Sequence, residues 1–126
     1  MFRLSIKSKE KLRGVHPKLC DVVNYAIMIT EVDFAVIEGV RSIERQEQLV
    51  KAGASQTIHS RHLTGHAIDL AAVVNGEIRW DWPLYDKIAE AMKKAAEALD
   101  LKIDWGGDWE KLRDGPHFQL PKGDYP

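Results

Sequence analysis

Hydrophobic and polar positions follow two rhythms along this chain. Between residues 17 and 29, Leu19, Val22, Val23, Ala26 and Ile27 recur at helical spacing and mark a buried stripe. Pro17 suits the first turn of that helix. The clearest helix runs from Pro83 to Asp100, where Leu84, Ile88, Ala91, Ala95 and Leu99 share one face. Ser42 reads as the N-cap of a further helix ending near Gly53. Elsewhere the rhythm shortens. Phe34 to Ile37 and Ala67 to Val74 read as strands. Asn75-Gly76 is the strongest hairpin signal in the chain, so Glu77 to Trp80 should return antiparallel. Ile103 to Trp105 and Phe118 to Leu120 predict short strands, and the polar residues 53–62 predict a loop. The expected fold is α+β: a small single domain with a largely antiparallel sheet and helices packed against it.

Composition narrows this picture only a little. The 126 residues are 44% hydrophobic, enough for one domain with a real core. No repeat, low-complexity tract or linker interrupts them. A net charge of −1, with no basic stripe interleaved with aromatics, argues against a nucleic-acid partner or an anionic membrane surface. Cys20 is the one cysteine, so no intrachain disulfide is available, and its apolar neighbours predict a buried free thiol. Met1 to Lys7 lacks the apolar core of a signal peptide. No apolar run approaches the ~20 residues needed to span a bilayer.

The candidate chemistry lies in two segments. Ser60-Arg61-His62-Leu63-Thr64-Gly65-His66-Ala67-Ile68-Asp69 supplies an imidazole and a carboxylate; Asp114-Gly115-Pro116-His117 supplies one more of each. Three N/O ligands plus a carboxylate base are the parts of a catalytic zinc site. Strand parity puts Ile68 and Leu70 in the core and turns Ala67, Asp69 and Ala71 to the other face, where small neighbours leave room above Asp69. The plain alternative is a solvent-facing aspartate. Parity likewise separates His117 and Gln119 from Phe118 and Leu120, so two such strands side by side would aim Asp69 and His117 at one point. A packed core histidine is the competing reading of His117. His62 and His66 stand i, i+4, as in a helical two-histidine site, but no glutamate follows His62 and Gly65 interrupts the turn. His59 reads as a loop residue and His16 as a helix-start residue. Arg41, whose fork cannot lose its charge, suits an oxyanion or a carboxylate. It could equally be a surface arginine beside Glu38 or Glu44. Asp114 before Gly-Pro could also be an ordinary turn residue.

Ser60-x-His62-x-x-Gly65-x-Ala67-x-Asp69 followed by Asp114-x-x-His117 resembles the zinc peptidase family of D-alanyl-D-alanine dipeptidases and carboxypeptidases and the phage L-alanyl-D-glutamate endolysins. Glu38-Gly39-Val40-Arg41-Ser42 is similar to the family's arginine segment, and Trp105-Gly106-Gly107-Asp108-Trp109 to its glycine-tryptophan turn. The resemblance is nearest to the small endolysins.

It implies a hedgehog/D-Ala-D-Ala peptidase-like fold, with zinc held by His62, Asp69 and His117 and with Asp114 as general base. Arg41 would stabilise the oxyanion. The position of His66 is open in the family pattern, which leaves His66 and Ser60 beside the ligands or the substrate. Trp105 and Trp109 would either pack in the core or wall a peptide cleft. The implied substrate is the peptidoglycan stem peptide, cut at L-alanyl-D-glutamate in the endolysin branch and at D-alanyl-D-alanine in the sister branches. Residues 1–126 are then expected to form one catalytic domain without a cell-wall-binding module. The protein is expected to be a monomer made in the host cytoplasm, without a membrane anchor, and to reach the wall after holin release. A zinc-stabilised peptidoglycan-binding module that has lost catalysis is the alternative of another class; Asp114, which such a module does not need, favours the enzyme.

Overall fold

A computed structural model describes residues 1–55 and 60–125. The elements follow in the order α1 (Ile6–Lys11), α2 (Pro17–Ile29), β1 (Phe34–Glu38), α3 (Ile43–Lys51), a 3-10 turn (Arg61–Thr64), β2 (Ala67–Val74), β3 (Glu77–Arg79), α4 (Trp82–Ala98), β4 (Asp104–Trp105), a second 3-10 turn (Gly106–Asp108) and β5 (His117–Gln119). The sheet runs β1-β2-β5-β4, every pair antiparallel, and β3 pairs with β2 beyond the end of β5. The α+β expectation and its strands are met with small shifts of boundary.

The core lies between the sheet and the α2–α4 pair. All five apolar residues of the α2 stripe are buried. His16 caps this helix, its Nδ1 accepting the Lys18 N–H, and Pro17 opens it. In α4 the buried face is Tyr85, Ile88, Ala89, Met92, Ala95 and Ala96, with Ala91 at its margin. The expected stripe is therefore rotated: Leu84 is half-buried and Leu99, the C-cap, is 37% exposed. Tyr85 decides the rotation, because its hydroxyl accepts the Ala72 N–H and donates to the Arg79 carbonyl, fastening the helix to the root of the β2–β3 hairpin. Asn75 and Gly76 turn that hairpin with φ of 52° and 79°, the left-handed pair of a type I′ turn.

Two elements depart from expectation. α1 buries its serine rather than its isoleucine: Ser8 is fully buried and accepts the Val36 N–H, while Ile6 lies open. The second departure is the 3-10 turn at Arg61–Thr64, in a segment expected to be loop. Ser60 caps it through the His62 N–H, and Gly65 ends it at φ 77°. A Cβ at Gly65 would meet the Gly14 carbonyl oxygen at 2.5 Å, so only glycine fits there. Cys20 is half-buried, its thiol facing the Leu12 and Val15 carbonyls, and burial together with Asp21 pushes its pKa up.

Candidate metal centre and cleft

The β2–β5 register sets Asp69 directly across from His117. Alternation sends Ile68, Leu70, Phe118 and Leu120 into the core, all fully buried. Both functional side chains therefore leave the opposite face together. The 3-10 turn entering β2 adds His62, whose ring lies 5.2 Å from that of His117, edge to face. His62 Nε2 and His117 Nδ1 each stand 3.4 Å from Asp69 Oδ1. The face around Asp69 is narrower than parity predicts, because Ala67 and Ala71 are themselves fully buried and only Asp69 keeps 17% exposure.

The two imidazoles are held in complementary tautomers. His62 Nδ1 lies 2.9 Å from the Gly39 carbonyl oxygen and donates to it, leaving Nε2 as a lone pair. His117 Nε2 lies 2.7 Å from Gln119 Oε1 and donates there, leaving Nδ1. Both free nitrogens face Asp69 Oδ1, which is buried without a hydrogen-bond partner among the described residues. A buried acceptor surrounded by acceptors is costly unless a cation sits among them. Tetrahedral ligands ~2.0–2.1 Å from zinc stand about 3.4 Å apart, close to the spacings found. His62, Asp69 and His117 are the one group among the described residues able to hold a metal ion, their donor atoms all within 4.8 Å of one another.

Without metal, these groups perturb one another. Burial raises the Asp69 pKa, but when the imidazoles are protonated, hydrogen bonds and charge from His117 and His62 outweigh it and hold the carboxylate well below its usual range. Burial lowers His117, yet Asp69 and Gln119, with the charge of Asp114, carry it above its usual value. Asp114 is pushed up by burial and by Asp69, against the opposing pull of His117, His62 and Arg41.

These residues line a cleft of about 620 Å³, with Arg41, Ser60, Trp109 and Asp114 among its walls. Arg41 is 8% exposed and almost fully engaged. Its Nε and Nη2 donate to Glu38 at 2.6 Å, its Nη1 to Gln46 Oε1 at 2.6 Å, and Nη2 stands 3.8 Å from Asp69 Oδ2. Gln46, fully buried, donates onward to Ser55. Trp109 stands at the cleft with its ring 5.0 Å from that of His117.

Two sequence candidates fall elsewhere. Trp105 is a core residue rather than a wall: its indole donates to the Gly115 carbonyl and its ring stacks on Phe118. His66 faces away from the cleft, hydrogen-bonded to Thr64 Oγ1 and grouped with His16 and Tyr125. Residue 59 lies outside the described residues. Sequence reasoning placed Gln119 on the face of His117 without reading its hold on the imidazole, and missed Gln46. Gln46 sits in a polar helix and carries no comparable signal.

A family profile described as phage L-alanyl-D-glutamate peptidase matches residues 1–120. The L-alanyl-D-glutamate peptidase of Escherichia phage T5 is 30% identical over 128 residues, covering 98% of this chain and 93% of that protein. The crystal structure of the Serratia marcescens L-Ala D-Glu endopeptidase ChiX superposes with a TM-score of 0.94 at 48% identity, covering 98% and 94% of the two chains. The vancomycin-resistance D,D-dipeptidase VanXYg, at 23% identity and a TM-score of 0.56 over 84% of this chain and 50% of that one, shares the fold. Profile, relative and superposition cover nearly the same residues as the cleft and its sheet, and the chain belongs to the phage L-alanyl-D-glutamate peptidase family.

Proposed function

We propose that this protein hydrolyses the amide between L-alanine and D-glutamate in peptidoglycan stem peptides, with zinc held by His62 Nε2, Asp69 Oδ1 and His117 Nδ1. The observation that carries the reading is the partnerless buried Asp69 Oδ1 between two imidazole nitrogens that hydrogen bonding leaves free. Bound there, zinc supplies a Lewis acid for the amide carbonyl and lowers the pKa of water towards ~7.

The remaining steps belong to the chain. Asp114 accepts the proton of the attacking water on its carboxylate and passes it to the leaving nitrogen of D-glutamate. Its raised pKa makes it a better base than an ordinary aspartate. Arg41, clamped by Glu38 and Gln46, orients Asp69 and turns its one remaining N–H donor towards the carbonyl oxygen as negative charge develops. Gly39 and Gln119 fix the two ring tautomers. Trp109 closes one wall and limits water. Residues between Glu38 and Gln119 line this cleft around a single sheet, which supports a single catalytic unit. The family description supports a lytic role at the wall, and we propose that a holin opens the way through the membrane. Among the described residues no helix is long and apolar enough to cross a membrane.

The test is mass spectrometry of purified peptidoglycan digested with zinc-loaded protein, with and without chelator. Chelator-sensitive release of peptides beginning at D-glutamate, with L-alanine left on the glycan, is expected. Loss of terminal D-alanine would instead make it a carboxypeptidase. Absence of any product with metal bound would leave a wall-binding module.

A further inference from the structure

The cleft holds three arginines, and they differ in what their charge faces. Arg41 is neutralised by Glu38. Arg61 spends Nη2 on the Leu120 carbonyl, at the Gln119 end of the cleft. Arg113 precedes Asp114 directly in the chain and meets no carboxylate among the described residues. It is nonetheless fixed. Its Nε donates to the Gly107 carbonyl at 2.8 Å, and its guanidinium lies 4.4 Å above the Trp82 ring. Anchoring one edge through Nε and one face on an indole leaves the paired Nη donors without a partner among the described residues. A planar fork with two parallel donors matches a carboxylate.

The chemistry proposed above says where a carboxylate must lie. Asp114 returns its proton to the leaving nitrogen, so the leaving half of the substrate occupies the Asp114 side of the cleft. That half begins with D-glutamate linked through its side chain, and its free α-carboxylate sits on the carbon bonded to that nitrogen. A substrate carboxylate arriving there meets the acidic Asp114, the charge of Asp69 being taken up by the metal of the proposed site. Unaided, it would be repelled, and a fixed cation removes that penalty.

We infer that Arg113 is a specificity-determining residue that binds the α-carboxylate of the D-glutamate in the leaving half of the substrate. This rests on the proposed L-alanyl-D-glutamate cleavage. It goes further in stating that the enzyme distinguishes a free α-carboxylate from the α-carboxamide found in amidated walls.

The experiment compares N-acetyl-L-Ala-γ-D-Glu-L-Lys with the same peptide carrying the α-carboxamide, using zinc-loaded protein. The wild type should favour the acid by roughly tenfold to a hundredfold in kcat/KM, the range of a charge-assisted hydrogen-bond pair. Arg113→Gln should bring the ratio close to one by losing rate on the acid alone, and Arg113→Lys should restore part of it. Arg113 is exposed, so an unchanged melting temperature is expected and shows that the fold is intact. A ratio preserved in Arg113→Gln, or lost in Arg61→Gln instead, overturns the inference. If the wild type cleaves neither peptide, the cleavage reading has failed, and binding decides the inference. Chemical-shift titration with γ-D-Glu-L-Lys and its α-amide should then show tighter binding of the acid that Arg113→Gln abolishes. Equal binding of acid and amide by the wild type overturns it.

Discussion

His62 and His117 offer opposite nitrogens to the same point, and the reason lies in what each ring touches behind it. The strand alternation around Asp69 and His117 is readable in the sequence, since Ile68, Leu70, Phe118 and Leu120 mark the core side. The choice of nitrogen is not readable, because the Gly39 carbonyl that fixes His62 comes from another strand end 23 residues away. The proton balance of the site follows from this arrangement. In the metal-free protein His117 has a folded pKa above its unfolded value of about 6.5, so its stabilisation is complete below that pH and is lost as pH rises through the raised value. Asp69 has the opposite sign: its stabilisation is complete above 3.8 and is lost as pH falls. Asp114, raised, offsets part of that loss as pH falls. A metal ion held as proposed would compete with the His117 proton, so its affinity should climb with pH. Melting curves from pH 4 to 9 should show chelated protein weakening above about pH 6.5 while zinc-loaded protein holds or gains; chelated protein that strengthens from pH 6.5 to 8 would contradict the assignment. Asp114→Ala tests the base separately. Zinc should still bind stoichiometrically while kcat falls by about 10²–10⁴; near-normal turnover would remove Asp114 from the mechanism.

At the scale of elements, apolar pattern located the helices whose buried face is apolar and failed where a polar residue is buried. The α2 stripe was legible residue by residue. α1 was invisible because its pattern is inverted, with Ser8 inside and Ile6 outside. In α4 the expected face drifted towards Leu84 and Leu99, since periodicity cannot know that Tyr85 has a hydrogen-bonding task at the sheet. That task gives a stability prediction. Tyr85→Phe keeps the ring but strands the buried Ala72 N–H, at a cost of about 1–3 kcal/mol in urea denaturation. Amide exchange should quicken first along the β2–β3 hairpin. A variant as stable as the wild type would mean that another acceptor takes over. The 3-10 turn was hidden for a different reason: residues 61–64 carry no apolar rhythm, and the turn is set by Ser60 at one end and by close contact of Gly65 with the Gly14 backbone at the other.

The whole molecule is one sheet with α2 and α4 packed on one side and its chemistry on the other, where α3 flanks the cleft. The candidate ligands are spread widely along it: one precedes β2, one lies within β2, and one stands at the start of β5. β5 enters the sheet between β2 and β4, after every other described strand has been made. This order has a consequence for biosynthesis. A nascent chain still short of residue 117 has neither the second imidazole nor the cross-strand partner of Asp69. Pairing over such a span is a late, slow event in folding. A nascent chain that has not reached residue 117 is therefore hydrolytically silent, and the cell that makes the protein is exposed to its activity only after β5 has paired with β2.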